Sequence, residues 1–236
     1  MRANGGAHVS KLLSKGNTMK IYAPLSALHT VACFAAKDDI RYYLNSVRVE
    51  ASPVQTRFTA TDGHCAGMLR TAQENEGIDG AVTILIPIDI IKAAKKAKNN
   101  CDALVIETAD GKTGTLSVVG GVSINWTAVD GTYPTMARVI PAQASGEPAQ
   151  FNPELIAKFA QAQKIASGSK TAFPHFWHNG TNGTAVTLCG QYLHDFTGVI
   201  MPLREEKDLA KYADYRAPAW ALEDVAQVID KQAQAA

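Results

Sequence analysis

Apolar and polar positions follow two rhythms along this chain, and the rhythms alternate in a repeated order. Residues 24–36 have helical spacing: Leu25, Leu28, Val31 and Ala32 share one face, and Pro24 suits a first turn, whose N–H groups have no partner inside the helix. Period-two strands follow at 46–51, with Val47 and Val49 opposite Arg48 and Glu50, and at 57–61, where Asp62-Gly63 turns the chain towards 65–71. The order then restarts. A strand at 82–86 leads into a helix at 87–98, with Ile90, Ile91, Ala94 and Ala97 as its apolar face. Asp89 sits in its first turn, where a carboxylate suits the helix dipole. Three strands follow at 104–108, 115–119 and 123–129, divided by Asp110-Gly111 and Gly120-Gly121. A third start comes at Phe151: Asn152 is the N-cap, Pro153 and Glu154 suit the first turn, and Leu155, Ile156, Phe159 and Ala160 face inward. Its strands are 171–177, 184–189 and 197–201. The fold class is therefore α+β, a helix backed by antiparallel strands repeated three times in pattern, without close identity between the units.

Composition narrows the function classes. The chain has 236 residues and a net charge of +1, so any surface for nucleic acid must be local and offset by acid elsewhere. Cys33, Cys65, Cys101 and Cys189 are scattered, without the spacing of a zinc site, and suit reduced thiols of a cytoplasmic protein. No stretch is long and apolar enough for a membrane span, and neither a cofactor nor a metal is expected. Asp62 and His64 flank a glycine with no nucleophile or orienting group beside them, so a turn aspartate is the favoured reading over an acid–base pair. In a strand, His175 and His178 point to opposite faces. No catalytic constellation stands out, and the chain reads as a non-enzyme.

Four separated stretches carry more specific information: Arg41-Tyr42-Tyr43-Leu44-Asn45; Ala60-Thr61-Asp62-Gly63-His64; Asp130-Gly131-Thr132-Tyr133-Pro134 running on to Arg138-Val139-Ile140-Pro141; and Val199-Ile200-Met201-Pro202-Leu203-Arg204. In this order they resemble the bacterial DNA polymerase sliding clamps, the beta subunits of the replicative polymerase. The resemblance covers about 24–204. It implies a DNA-clamp fold made of one full domain over 19–143, similar to the central clamp domain, and a half domain over 144–204, similar to the second half of the last one. Residues 1–18 read as a flexible arm, or as a basic arm touching DNA. Residues 205–236 form an extension with a short helix expected at 221–232, whose apolar stripe docks on the protein's own core or on a neighbour. The first clamp domain and half of the last have no counterpart in this sequence. A ring would then need a homo-oligomer, tetramer or dimer, and the reduced size suggests a phage or prophage source.

The resemblance implies a pocket for short linear peptides of a polymerase, clamp loader or repair protein. Its walls would be Leu44, Thr61, Gly63, His64, Pro134, Arg138, Val139, Val199, Met201, Pro202, Leu203 and Arg204; the bland alternative is a domain seam without a ligand. Cys65 and Ala66 stand where the family typically has arginine and leucine, so the pocket should be wider or flatter. Lys92, Lys95, Lys96 and Lys98 crowd the second helix, and Lys158 and Lys164 lie on the third. On composition alone they form a solvated face; under the resemblance they line a channel for duplex DNA, held electrostatically and without sequence preference. The alternative function is a non-encircling clamp-like module that binds clamp-motif peptides or a host clamp.

Overall fold

The computed structural model describes residues 18–96, 101–190 and 194–204. Residues up to Pro202 form one compact unit; Leu203–Ala236 form a second, of which only Leu203 and Arg204 are described. The expected helix at 221–232, the arm before Thr18 and Lys98 lie outside the described residues.

In chain order, the first group is β1 Met19–Pro24, α1 Leu25–Ala32, β2 Ser46–Ser52, β3 Gln55–Thr61 and β4 Cys65–Thr71. The second is β5 Val82–Pro87, α2 Ile88–Ala93, β6 Ala103–Thr108, β7 Thr113–Val118 and β8 Ser123–Thr127. Helix α3 Pro153–Ser167 and strands β9 His175–Trp177, β10 Thr184–Thr187 and β11 Phe196–Ile200 complete the series. All strand pairing is antiparallel, in one sheet of order β1-β6-β7-β8 and another of order β5-β2-β3-β4-β11-β10-β9. The first two groups exchange their leading strands: β1 pairs with β6, and β5 pairs with β2.

Strand β1 is missing from the sequence reading, which began the first group at a helix. Ile21 and Ala23 point inward while Lys20 and Tyr22 alternate outward, and Pro24 is tolerated because it ends an edge strand. Helix α1 also stops at Ala32 rather than at residue 36, because the chain turns there to bring Phe34 into the core. The correction to α2 is larger. The helix covers only Ile88–Ala93, and buried Ala94 is already extended. Lys95 and Lys96 therefore do not share a helical face with Lys92. Continuing the helix would stack lysines at i, i+3 and i+4 with no acid between them. The chain must also return to Asp102, whose carbonyl receives the Leu25 N–H and whose carboxylate receives the Ser26 N–H and hydroxyl at the start of α1. Strand β9 is shorter than expected because Pro174 has no N–H for the ladder. Asn152 caps α3 as expected, accepting the Glu154 N–H at 2.9 Å, and Gly168 ends the helix at φ 66°.

The core is continuous from β1 to β11. It joins Ile21, Leu28, Val31, Phe58, Leu69, Ile86 and Leu104 to Phe159, Ala162 and Phe196. The join between the α3 group and the rest is the β4–β11 ladder, where Gly67 faces Gly198. The rings of Phe34 and Phe159, 4.7 Å apart, occupy the space the two missing side chains leave. A Cβ on Gly67 would collide with the Phe34 ring, and one on Gly198 would lie 2.5 Å from the Phe159 ring. Buried Gln163 adds a polar clasp, donating to the Cys189 carbonyl at 2.7 Å and accepting the Cys189 N–H at 2.6 Å. Replacing Gly67 or Gly198 by valine should destabilise the protein by about 1–3 kcal/mol through overpacking. Gly80, with open space around its Cβ position, should tolerate alanine. Urea unfolding followed by tryptophan fluorescence measures both effects.

Candidate functional site

The β4–β11 join places four distant stretches around one cavity of about 240 Å³. Residues 41–44 arrive on a 3-10 turn at Tyr42–Leu44, residues 61–66 on the β3–β4 turn, residues 134–139 on a 3-10 turn at Met136–Arg138, and residues 199–201 on the end of β11. Leu44 and Val199 are buried, whereas Met201 is 37% exposed. The result is an apolar depression with an adaptable thioether on a more open wall.

Of the anticipated residues, Leu44, Thr61, Gly63, His64, Pro134, Val139, Val199 and Met201 line this cavity. Arg138 and Pro202 are not among the lining side chains, and Leu203 and Arg204 fall in the second unit. Arg41, Tyr43, Cys65, Ala66 and Met136 line the cavity in addition. Arg41 and Tyr43 stand in the first quoted stretch, so the signal was present; nothing in sequence spacing says which side chains of that stretch turn inward.

Hydrogen bonds set the shape of the β3–β4 turn. The Thr61 hydroxyl donates to the Cys65 carbonyl at 2.7 Å and accepts the Gly63 N–H at 3.0 Å. Asp62 Oδ1 accepts the N–H groups of His64 and Cys65 at 2.7 and 2.8 Å. Asp62 therefore caps a turn through the His64 backbone rather than working with its ring. Gly63 has φ 90°, a conformation that favours glycine, and the Arg41 guanidinium lies 3.0 Å from where its Cβ would be. Arg41 itself is fixed by paired contacts to Asp39 at 3.0 and 2.8 Å and by a bond to the Asp62 carbonyl at 3.3 Å. That guanidinium holds the Asp39 carboxyl down to about 2. The Tyr133 hydroxyl accepts the Thr61 N–H at 3.0 Å and ties the third stretch to the second, and the Met201 N–H donates to the His64 carbonyl at 2.9 Å and ties in the fourth. Burial pushes the Cys65 thiol up to about 12, assisted by the Asp62 charge, so it lines the pocket as a neutral group.

The anticipated cations occupy different settings. Lys92 lines a groove of about 380 Å³ between the three helices, together with His29, Lys37 and Gln161. Lys95 and Lys164 are exposed, and Lys96 lies 3.3 Å from Asp102. Lys158 is not on an open face: its ammonium is 2.5 Å from Asp62 Oδ2. Among the described residues, no group of three or more His, Cys, Asp or Glu side chains is arranged to hold a metal. No described helix is long and apolar enough to cross a membrane.

Tyr133→Phe should leave the buried Thr61 N–H without its acceptor and cost about 1–3 kcal/mol. Differential scanning calorimetry tests this, with Tyr42→Phe, an exposed neighbour, as the control.

The family description "DNA polymerase III beta subunit, central domain" matches residues 25–135. A search of curated proteins finds no sequence match. Among solved structures, the DNA polymerase III beta subunit of Thermotoga maritima is 15% identical with a TM-score of 0.58, covering 87% of this chain and 70% of that one. The Pseudomonas aeruginosa sliding clamp with ligand is 15% identical with a TM-score of 0.56, over 79% and 67% of the two chains. The Helicobacter pylori beta clamp bound to a DNA ligase peptide is 10% identical with a TM-score of 0.61, over 80% and 66%. The chain thus spans about two thirds of the length of these clamps. Residues 25–135 thus match the central domain of the DNA polymerase III beta subunit, within a chain that has the fold of the bacterial sliding clamps.

Proposed function

We propose that this protein is a sliding-clamp-like processivity factor. It holds duplex DNA without reading its sequence and tethers a polymerase, clamp loader or repair protein by a short peptide seated in the cavity at the β4–β11 join. The observation that carries the reading is that cavity: four stretches far apart in sequence converge on it, with buried aliphatic residues below and exposed Met201 at the wall. Short peptides bind such sites through a few apolar anchors in a desolvated pocket. A DNA ligase peptide is bound in the Helicobacter pylori clamp structure, which supports the same ligand class here. Sliding clamps are processivity factors rather than enzymes, and the proposed role requires no catalytic group. The protein would act in the cytoplasm.

For DNA, the supporting feature is the groove between the helices with Lys37 and Lys92 on its walls, and Lys95 beyond. Encircling a duplex calls for a homo-oligomer, dimer or tetramer. A non-encircling peptide-binding module is the second reading. The commitment of Lys158 to Asp62 and of Lys96 to Asp102 favours it, since both draw positive charge away from phosphates.

Under the clamp reading, Lys92→Glu with Lys95→Glu and Lys96→Glu should abolish retention on nicked circular DNA, and linearising the circle should release the unmodified protein. Insensitivity to both changes favours the non-encircling module. Met201→Ala should weaken binding of the DNA ligase peptide, measured by fluorescence anisotropy, by about ten-fold.

A further inference from the structure

Lys158 stands on α3, yet its ammonium leaves the solvated face of that helix and reaches the β3–β4 turn, 96 residues away in sequence. The contact is short, 2.5 Å to Asp62 Oδ2, and sheltered: the two side chains are 30% and 13% exposed. The two carboxylate oxygens have separate tasks. Oδ1 takes the N–H groups of His64 and Cys65 and so shapes the turn. Oδ2 takes the ammonium, with the Cys65 thiol 3.6 Å away.

We propose that Lys158 is a positioning residue for the peptide pocket: its ion pair with Asp62 holds the Thr61–Cys65 turn in the shape that presents Gly63 and His64 to a ligand. The proposal rests on the peptide-binding reading of the cavity. A sheltered carboxylate deprived of its counter-ion must either take up a proton or swing out to water. Either response weakens the two Oδ1 bonds. It also shifts His64, whose carbonyl holds the Met201 N–H and with it the opposite wall.

The nearby cations among the described residues have other partners. Arg41 reaches the Asp62 carbonyl, but its guanidinium is engaged by Asp39. Among the described residues, the other titratable or charged groups around the pair are His64 and Cys65 on the turn, Cys33 after α1, Tyr133 on the adjoining loop and, beside Tyr133, Arg48 of β2, which is paired with Glu50. Burial raises the pKa of both cysteines and of Tyr133, which keeps them neutral. Burial also pushes the Asp62 carboxyl upward, but the Lys158 bond and the two backbone N–H groups outweigh it and leave it below the ordinary value of 3.8. Its contribution to the turn is therefore present above the ordinary carboxylate range and is lost only as pH falls through the depressed value.

The test uses the full chain, the DNA ligase peptide labelled with fluorescein, and carboxyl NMR of Asp62 across pH. Lys158→Met should weaken peptide binding about ten-fold at pH 8 and move the Asp62 midpoint above 3.8. Lys158→Arg should restore both. The double variant Asp62→Asn with Lys158→Met should lose less affinity than the two single losses combined, since it removes the unpaired charge. Wild-type affinity in folded Lys158→Met overturns the proposal and leaves the pocket reading standing. Equal losses in the Met and Arg variants, with an unmoved Asp62 midpoint, reduce Lys158 to a packing role and also overturn it. Wild-type protein that does not bind the peptide overturns the pocket reading, and the proposal with it.

Discussion

The seam between β4 and β11 is the constraint from which the rest of the site follows. Two strands can close-pack under two phenylalanine rings only where both lack side chains, and Gly67 opposite Gly198 provides that gap. With Phe34 and Phe159 seated there, the α3 group shares one core with the first ten elements. The same ladder sets Val199 opposite Ala66 and Ile200 opposite Cys65, so Val199 and Met201 arrive beside the β3–β4 turn. The pocket is thus a consequence of strand register. A one-residue slip would turn Val199 to the other face and remove a wall.

Polar contacts then refine what the apolar seam positions. Hydrogen bonds at Thr61 and Asp62 fix the turn, Tyr133 anchors the loop that bears Pro134, and Arg41 packs against Gly63. Such local networks have high stakes, because a sheltered polar group without its partner costs more than the bond contributes. The Lys158–Asp62 pair adds a long-range member to this network and joins a helix of the α3 group to the turn in the first. It also withdraws a lysine from the helical face, so the cavity wall and that face draw on the same charged residue.

Much of this was legible from residue patterns. The alternation in Val47, Val49 and Ala51 marked β2, Asn152 and Pro153 marked the start of α3, and Asp62-Gly63 marked the turn at the pocket. The length of α2 was not legible, because Lys-Ala-Ala-Lys-Lys-Ala has strong intrinsic helix propensity, which the return of the chain to Asp102 overrides. Nor was β1, which pairs with a strand some eighty residues later and reads as a short apolar lead-in when seen alone. Eight of the twelve expected pocket residues line the cavity, since the motif stretches are contiguous in sequence. The inward turn of Arg41, Tyr43 and Met136 depends on two 3-10 turns whose side-chain directions spacing does not encode.

Sequence by itself determined most element types and the α+β class, because periodicity, caps and turn residues act over a few neighbouring positions; that four separated stretches should converge was implied only by the family resemblance. Tertiary structure decided where the charges act. Lys92 lines the groove between the helices, whereas Lys158, similar to it in any sequence reading, is bound to Asp62 across 96 positions. Local patterns specify which face a residue occupies, but the partner of a charged side chain is set by what the whole chain packs beside it.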